Sequence, residues 1–134
     1  MKDTRVPAQT PTIACVDDEA SIREALDGLL RAYGYRVVTF ASAEAFLEFE
    51  LLDSVSCLIA DIRLGGISGL QLLTELNETG HAIPTIIISA FGENGYRTQA
   101  MRAGAVDILL KPISSIRLLT AVETCLKGHG PKSA

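Results

Sequence analysis

Several short apolar runs of the sequence end at, or are followed directly by, a polar residue with a charged or reactive side chain. These residues are Asp17, Asp18, Asp61, Ser89 and Lys111. Carboxylates can ligate a hard metal ion or act as nucleophiles, and hydroxyl and ammonium groups can bind phosphoryl oxygens. Each residue alone has an ordinary explanation, because acids favour helix starts, Ser is common at turns and Lys is usually solvated. Together they indicate one polar site.

The three carboxylates need positive charge nearby if they converge. At about 4 Å, each like-charged pair costs about 4 kcal/mol at an effective dielectric constant of about 20. Lys111 can offset part of this repulsion. A divalent cation is the better match, because Mg²⁺ prefers oxygen ligands from one or two carboxylates, waters and a phosphate oxygen. The residue types therefore predict a site for Mg²⁺ and a phosphoryl group.

The elements that must position this site follow from short apolar runs that alternate with stretches of helical periodicity. The runs predict strands at Thr12–Val16, Arg36–Phe40, Cys57–Asp61, Thr85–Ser89 and Val106–Leu110. The periodic stretches predict helices at Ala20–Tyr33, from about Ala43 to Leu51, after Ser68 to about Asn77, near Tyr96–Ala103 and at Ile116–Lys127. This alternation is typical of βαβ units and a parallel sheet, in which ligands bind beyond the carboxyl ends of the strands.

Three serines are predicted to cap helices. Ser21 with Glu24 and Ser68 with Gln71 have the spacing of a capping box, and Ser42 is a candidate N-cap residue. These caps would fix the starts of three of the five helices.

The composition limits the classes of protein to which this chain can belong. The chain has 134 residues, 48% of them hydrophobic, which predicts one domain at 12–127 between tails at 1–11 and 128–134. Its net charge of −4 disfavours direct nucleic-acid binding, which requires a broad positive field. No apolar run approaches the roughly 20 residues of a membrane-spanning helix. Three scattered cysteines and no secretory leader favour a cytoplasmic protein with buried thiols.

The order and spacing of several segments resemble the receiver domain of two-component response regulators. The segments are Val16–Glu19, Asp61–Leu64 with Gly69, Ser89–Ala90, and Gly104–Asp107 leading to Lys111–Pro112. The FixJ-type regulators are the most similar members, through Ser42–Leu47, Arg63 and Gly104–Asp107. The resemblance implies an α/β fold of the flavodoxin-like, CheY-like kind: a doubly wound five-stranded parallel sheet of order 2-1-3-4-5 flanked by five helices.

The resemblance also implies how the site handles phosphate. Asp61 would accept a phosphoryl group from phosphohistidine on a sensor histidine kinase or a histidine phosphotransfer protein. Lys111 and the Ser89 hydroxyl would bind phosphoryl oxygens, and the bond from Lys111 to Pro112 would be cis. Such a protein assists its own phosphorylation and dephosphorylation but is not an enzyme.

The implied cofactor is Mg²⁺. Asp18 and Asp61 would ligate the ion directly, Asp17 would do so through water, and the backbone carbonyl of Arg63 would complete the protein's ligands.

The chain departs from the usual receiver sequence at three positions. Gly65 stands where Pro is usual, which predicts a mobile loop after Asp61. Ile108 replaces the usual Tyr or Phe, the ring that reorients on phosphorylation, and Ser89 replaces the commoner Thr. Phe91 is a candidate substitute for the missing ring.

The resemblance implies a single-domain response regulator whose phosphorylation controls protein contacts, including a possible homodimer through helix 4, strand 5 and helix 5. One alternative is the receiver part of a longer DNA-binding transcriptional regulator. Two others fit less well. A flavodoxin-like electron carrier would bring its flavin phosphate against the acidic Asp17–Glu19 run, and an aspartate-nucleophile phosphatase needs a second Asp where Arg63 stands.

Overall fold

In the part of the chain that the structure describes, five parallel strands form one sheet. The computed structural model describes residues 10–90 and 94–128. The strands are β1 (Thr12–Val16), β2 (Arg36–Phe40), β3 (Cys57–Asp61), β4 (Thr85–Ser89) and β5 (Asp107–Leu110). They are ordered β2-β1-β3-β4-β5, and each neighbouring pair is parallel. The predicted sheet and its order 2-1-3-4-5 are confirmed.

Within residues 10–90 and 94–128, five α-helices lie in the connections between the strands and after β5. They are α1 (Ala20–Ala32), α2 (Ala43–Leu47), α3 (Gly69–Glu78), α4 (Arg97–Arg102) and α5 (Ser115–Gly128), with short 3₁₀ segments at Leu52–Ser54 and Asn94–Tyr96. The predicted bounds agree within one residue except at the end of α2. The predicted end at Leu51 is wrong, because the chain leaves the helix after Leu47 and brings the Phe49 ring to 5.2 Å from the Phe40 ring.

Two of the three predicted serine caps are confirmed. The Ser42 hydroxyl accepts a hydrogen bond from the Ala45 N–H at 3.1 Å and begins α2. Ser68 and Gln71 form a reciprocal capping box at the start of α3, each side chain accepting from the other's N–H at 3.0 Å. Both caps satisfy amides that the first turn of a helix leaves without partners.

The capping box predicted for Ser21 and Glu24 is wrong. The N-cap residue of α1 is Glu19, whose carbonyl already accepts hydrogen bonds from the N–H groups of Ile22 and Arg23. Ser21 therefore lies inside the first turn, where it cannot cap the helix.

Apolar layers cover both faces of the sheet. One layer includes Phe46 of α2 and Leu72 of α3, and the other includes Leu30 of α1 and Leu118 of α5, all four with no exposed surface. Because both faces are covered, every residue of β3 and β4 is buried. This double burial explains why these strands read as continuous apolar runs rather than alternating ones.

Two predictions from the composition concern the cysteines and membrane-spanning helices. Cys15, Cys57 and Cys125 are free thiols buried in the structure, as predicted, and burial raises the pKa of the Cys15 thiol to about 12. Within residues 10–90 and 94–128, no helix combines the length and apolar character needed to cross a membrane.

The strand order reverses between β1 and β3. From β1 the chain passes outward to β2, and from β3 it passes the other way to β4 and β5. Open parallel sheets have a crevice at such a switch point, beyond the carboxyl ends of the strands. Asp17 follows β1 directly, Asp61 ends β3 and Lys111 follows β5, so all three lie at this edge.

Candidate functional site

Three carboxylates converge at the carboxyl ends of β1 and β3. Carboxylate oxygens of Asp17, Asp18 and Asp61 lie within 4.8 Å of one another. Asp17 and Asp61 are buried, with 1% and 5% of their surface exposed, whereas Asp18 is exposed. The convergence expected from the strand ends is confirmed.

Lys111 contacts this cluster from the end of β5. Its Nζ atom lies 2.6 Å from Oδ2 of Asp61 and 3.4 Å from Oδ2 of Asp17. The bond from Lys111 to Pro112 is cis, as the resemblance implies. One ammonium group thus faces two buried carboxylates at once.

Ser89 and Arg63 lie at the same edge of the sheet. Ser89 is buried at the end of β4, and its carbonyl accepts a hydrogen bond from the Lys111 N–H at 2.9 Å. The residue before Ser89 is the register partner of Asp61 on β3. The Arg63 N–H donates to Oδ1 of Asp61 at 2.9 Å, which brings the Arg63 backbone next to the carboxylate. All the residues predicted for the site are therefore at one end of the sheet.

Burial and neighbouring charges determine the protonation of the cluster. Burial raises the pKa of Asp17, and the negative charge of Asp61 raises it further, against the opposing effects of the Glu19 N–H and Lys111. Burial alone would lower the pKa of Lys111, but its hydrogen bond to Asp61 and the surrounding carboxylates outweigh burial and raise this pKa. Lys111 therefore stays protonated, and three carboxylates outnumber the one ammonium group.

The cluster fits a hard metal ion. Oδ1 of Asp17 accepts the Glu19 N–H at 2.9 Å, whereas the buried Oδ2 of Asp17 has the ion-pair contact with Lys111 at 3.4 Å but accepts no hydrogen bond from the described residues. A buried acceptor without a donor is uncommon and calls for an explanation, such as a bound ion. Oxygen donors and an excess of negative charge suit Mg²⁺ or a similar cation. Asp17, Asp18 and Asp61 are therefore an acidic triad that can hold a divalent metal ion.

Two further residues contact the cluster: Glu19, which the sequence places beside the acidic pair without a role, and Arg23, which the sequence analysis did not single out. Oε1 of Glu19 lies 3.3 Å from Nζ of Lys111, and Nη1 of Arg23 donates to the backbone carbonyl of Asp17 at 2.7 Å. Glu19 directly follows Asp18 in the sequence, so its acidic neighbours were a usable signal. Arg23 lies in the first turns of α1 and has no comparable local signal.

The position that usually carries an aromatic ring is occupied by a core residue. Ile108 on β5 is 7% exposed and belongs to the same apolar layer as Ala100 of α4. Phe91, the candidate substitute, lies outside the described residues.

Comparisons with known proteins agree with this geometry. The family model described as the response regulator receiver domain matches residues 13–123. The transcriptional regulatory protein TdiR of Thauera aromatica is 41% identical over 115 residues, which cover 86% of this chain and 51% of TdiR. FixJ of Azorhizobium caulinodans is 36% identical over 121 residues, which cover 90% of this chain and 57% of FixJ. The chain thus spans about half the length of these relatives.

Solved structures show the same likeness. The crystal structure of FixJ-N superimposes with a TM-score of 0.81 at 36% sequence identity, covering 89% of this chain and 95% of that one. The resemblance to receivers of the FixJ type is confirmed. The chain belongs to the family of response regulator receiver domains, which are phosphoacceptors rather than enzymes.

Proposed function

We propose that this chain is a phosphorylation-controlled switch in which Asp61 accepts a phosphoryl group from phosphohistidine. A receiver domain implies a cognate histidine kinase partner. The donor would be that kinase or a histidine phosphotransfer protein. The observation that carries the proposal is the buried Asp61 carboxylate, which is in contact with Lys111 and lies within the acidic triad.

Two contacts orient the Asp61 carboxylate. The Arg63 N–H holds Oδ1 and the Lys111 ammonium holds Oδ2, which limits rotation of the group. In the transfer, a carboxylate oxygen bonds to phosphorus while the bond between phosphorus and the imidazole nitrogen breaks and its electron pair stays on the imidazole. The protein would therefore contribute orientation and charge neutralisation rather than proton transfer.

The phosphorylated state needs donors for the new phosphoryl oxygens. Lys111, protonated and partly exposed, would move its contact from the Asp61 carboxylate to one of these oxygens. The Ser89 hydroxyl, at the end of the neighbouring strand, would donate to another. Both groups then stabilise the same charge.

The acidic triad would hold Mg²⁺ together with the backbone carbonyl of Arg63. The buried Oδ2 of Asp17, which lacks a hydrogen-bond donor among the described residues, supports this proposal. When bound, the ion supplies positive charge that offsets the repulsion between the carboxylates and the incoming phosphoryl oxygens.

The proposal is tested by incubating the protein with acetyl phosphate and measuring its intact mass. We expect one phosphoryl group per chain with Mg²⁺ present and almost none after chelation with EDTA. Absence of the mass increase at saturating Mg²⁺ would contradict the proposal. A bound flavin, or continuous turnover of a small phosphate ester, would instead favour the electron carrier or the phosphatase.

The output surface proposed here is the face formed by α4, β5 and α5. A groove of about 290 Å³ on this face is lined by residues that include Arg97, Leu110 and Arg117. Leu110 of β5 is 50% exposed and Ile116 of α5 is 77% exposed, so both elements offer apolar surface that a partner could cover. We propose that phosphorylation favours a homodimer through this face.

The dimer prediction is tested by sedimentation. Phosphorylated protein should sediment as a dimer at concentrations where the unphosphorylated protein is a monomer, and Ile116→Ser should weaken this association without changing phosphoryl gain. Equal sedimentation of both states over the whole accessible concentration range would rule out this output.

A second candidate output is control of an attached domain. TdiR is named a transcriptional regulatory protein, and this chain matches only 51% of its length. The likeness supports a receiver that forms part of a longer DNA-binding regulator. In that arrangement the net charge of −4 argues that the receiver itself does not contact DNA.

A further inference from the structure

A carboxylate outside the acidic cluster contacts the loop that follows the phosphoacceptor strand. Oε2 of Glu44, in the first turn of α2, accepts a hydrogen bond from the Ile67 N–H at 3.1 Å, across 23 positions of sequence. We infer that Glu44 is a positioning residue of the site: its carboxylate fixes the loop between β3 and α3 and thereby the metal-binding geometry at Asp61 and Arg63. This inference rests on the proposed function.

Gly66 allows this contact. A Cβ atom at position 66 would overlap Oε2 of Glu44 and lie 3.0 Å from its Cδ atom, so the carboxylate lies directly against the glycine backbone. At Gly65 a Cβ would meet nothing within 4 Å. The two glycines are therefore not equivalent, since only Gly66 makes room for the Glu44 carboxylate. The loop lacks the usual Pro ring at Gly65, and the Glu44 hydrogen bond supplies a different restraint.

The helix that carries Glu44 is firmly anchored. Ser42 caps α2, and Ala43 and Phe46 on either side of Glu44 have no exposed surface. The Phe46 ring packs edge-on against the Phe40 ring, with centroids 5.3 Å apart. Glu44 therefore extends from a helix anchored in one apolar layer, and Leu64 and Ile67 of the loop pack against the same layer.

The loop is also coupled to the phosphoacceptor at both of its ends. At its start, the Arg63 N–H donates to Oδ1 of Asp61. At its end, Gly69 packs so closely that a Cβ there would overlap the backbone oxygen of Asp61 and lie 3.0 Å from its carbonyl carbon. A displacement at Ile67 must therefore be absorbed between Arg63 and Gly69, next to the Asp61 carboxylate.

The test measures Mg²⁺ binding by calorimetry without any phosphodonor, together with hydrogen exchange at the Ile67 amide. Glu44→Ala should raise the Mg²⁺ dissociation constant by about threefold or more: losing a group that bonds a metal ligand directly typically costs about 10- to 100-fold in metal affinity, and Glu44 acts less directly, through the loop backbone. Glu44→Gln keeps an acceptor oxygen and should bind Mg²⁺ nearly as the wild type does. Glu48→Ala, an exposed acid one turn further along, is the matched control.

The glycine pair supplies an independent arm. Gly66→Ala should displace the Glu44 carboxylate and weaken Mg²⁺ binding as Glu44→Ala does, whereas Gly65→Ala should not. The double variant with Glu44→Ala and Gly66→Ala should have a Mg²⁺ dissociation constant no higher than that of either single variant, because both substitutions remove the same contact. A general loss of loop structure would instead make the two effects add.

The outcomes separate this inference from the function on which it rests. If the wild type binds Mg²⁺ and is phosphorylated, but Glu44→Ala and Gly66→Ala leave the dissociation constant unchanged, the inference is wrong and the function stands. If the wild type neither binds Mg²⁺ nor is phosphorylated, the proposed function fails and the inference fails with it. Faster exchange of the Ile67 amide in Glu44→Ala, with protection restored in Glu44→Gln, supports the hydrogen bond itself.

Discussion

Asp61→Asn should reduce phosphoryl gain from acetyl phosphate by about 1,000-fold or more, because an amide is not a nucleophile toward phosphorus. The substitution is nearly isosteric, and the Asn oxygen can still accept the Arg63 N–H that now binds Oδ1. The fold should therefore survive. Intact-mass spectrometry at saturating Mg²⁺ measures the gain, and thermal unfolding checks the structure.

The matched control for this variant is Asp53→Asn. Asp53 is exposed in the turn before β3 and pairs with His81 at 2.8 Å, away from the acidic cluster. The Asp53→Asn variant should gain a phosphoryl group to the same extent as the wild type. Equal mass gain in Asp61→Asn would show that another residue accepts the phosphoryl group, and it would remove Asp61 from the role proposed for it.

The location of the site could be predicted because it depends on strand ends. Apolar runs in the sequence predict β1 and β3, and Asp17 and Asp61 lie where those runs end. Since parallel strands place their carboxyl ends at one edge, residues 44 positions apart in sequence could be expected to meet. The repulsion expected between two such carboxylates also predicts a cation at the site.

The features that sequence reasoning missed depend on contacts between distant segments. The end of α2 is set by packing of Phe49 on Phe40, and no local stop signal marks it. The hydrogen bond from the Ile67 N–H to Glu44 joins a loop to a helix, and the sequence of neither segment indicates that it contacts the other. Ser21 had the right local spacing for a cap, but the chain enters α1 at Glu19. Local sequence patterns predict where helices and strands occur, whereas contacts between distant segments determine where these elements end and which of them interact.

Lys111→Met should lower the free energy of unfolding of the metal-free protein by about 2–3 kcal/mol at neutral pH. Losing one partner of a fully buried ion pair costs about 3–5 kcal/mol, and the value here is smaller because the Lys111 ammonium is partly exposed. Asp17 and Asp61 would be left facing each other without their counter-charge. Urea denaturation measures the loss, and Lys127→Met, an exposed lysine at the end of α5, is the control.

The loss of stability in Lys111→Met should decrease as pH falls. Burial already raises the pKa of Asp17 above its ordinary value of 3.8, and removing Lys111 removes a charge that lowers it. A carboxyl with a raised folded-state pKa binds its proton more tightly when folded, so stability falls as pH rises from 3.8 through the raised value. The deficit of Lys111→Met should therefore be largest at neutral pH and shrink as pH falls toward 3.8. A deficit that does not change with pH would mean that lost packing, not charge, is the cause.

Adding Asp17→Asn to Lys111→Met should restore part of the lost stability, because it removes one of the two buried carboxylates that repel each other. The Asn oxygen can still accept the Glu19 N–H that binds Oδ1 at present, so the turn after β1 keeps its hydrogen bond. Asp27→Asn, which removes an acid paired with Arg31 on the surface of α1, should restore nothing in the same background. Saturating Mg²⁺ should stabilise Lys111→Met but act weakly on the double variant, since Asp17 belongs to the acidic triad. Recovery with Asp17→Asn, and not with Asp27→Asn, would locate the repulsion that Lys111 and the metal ion offset together.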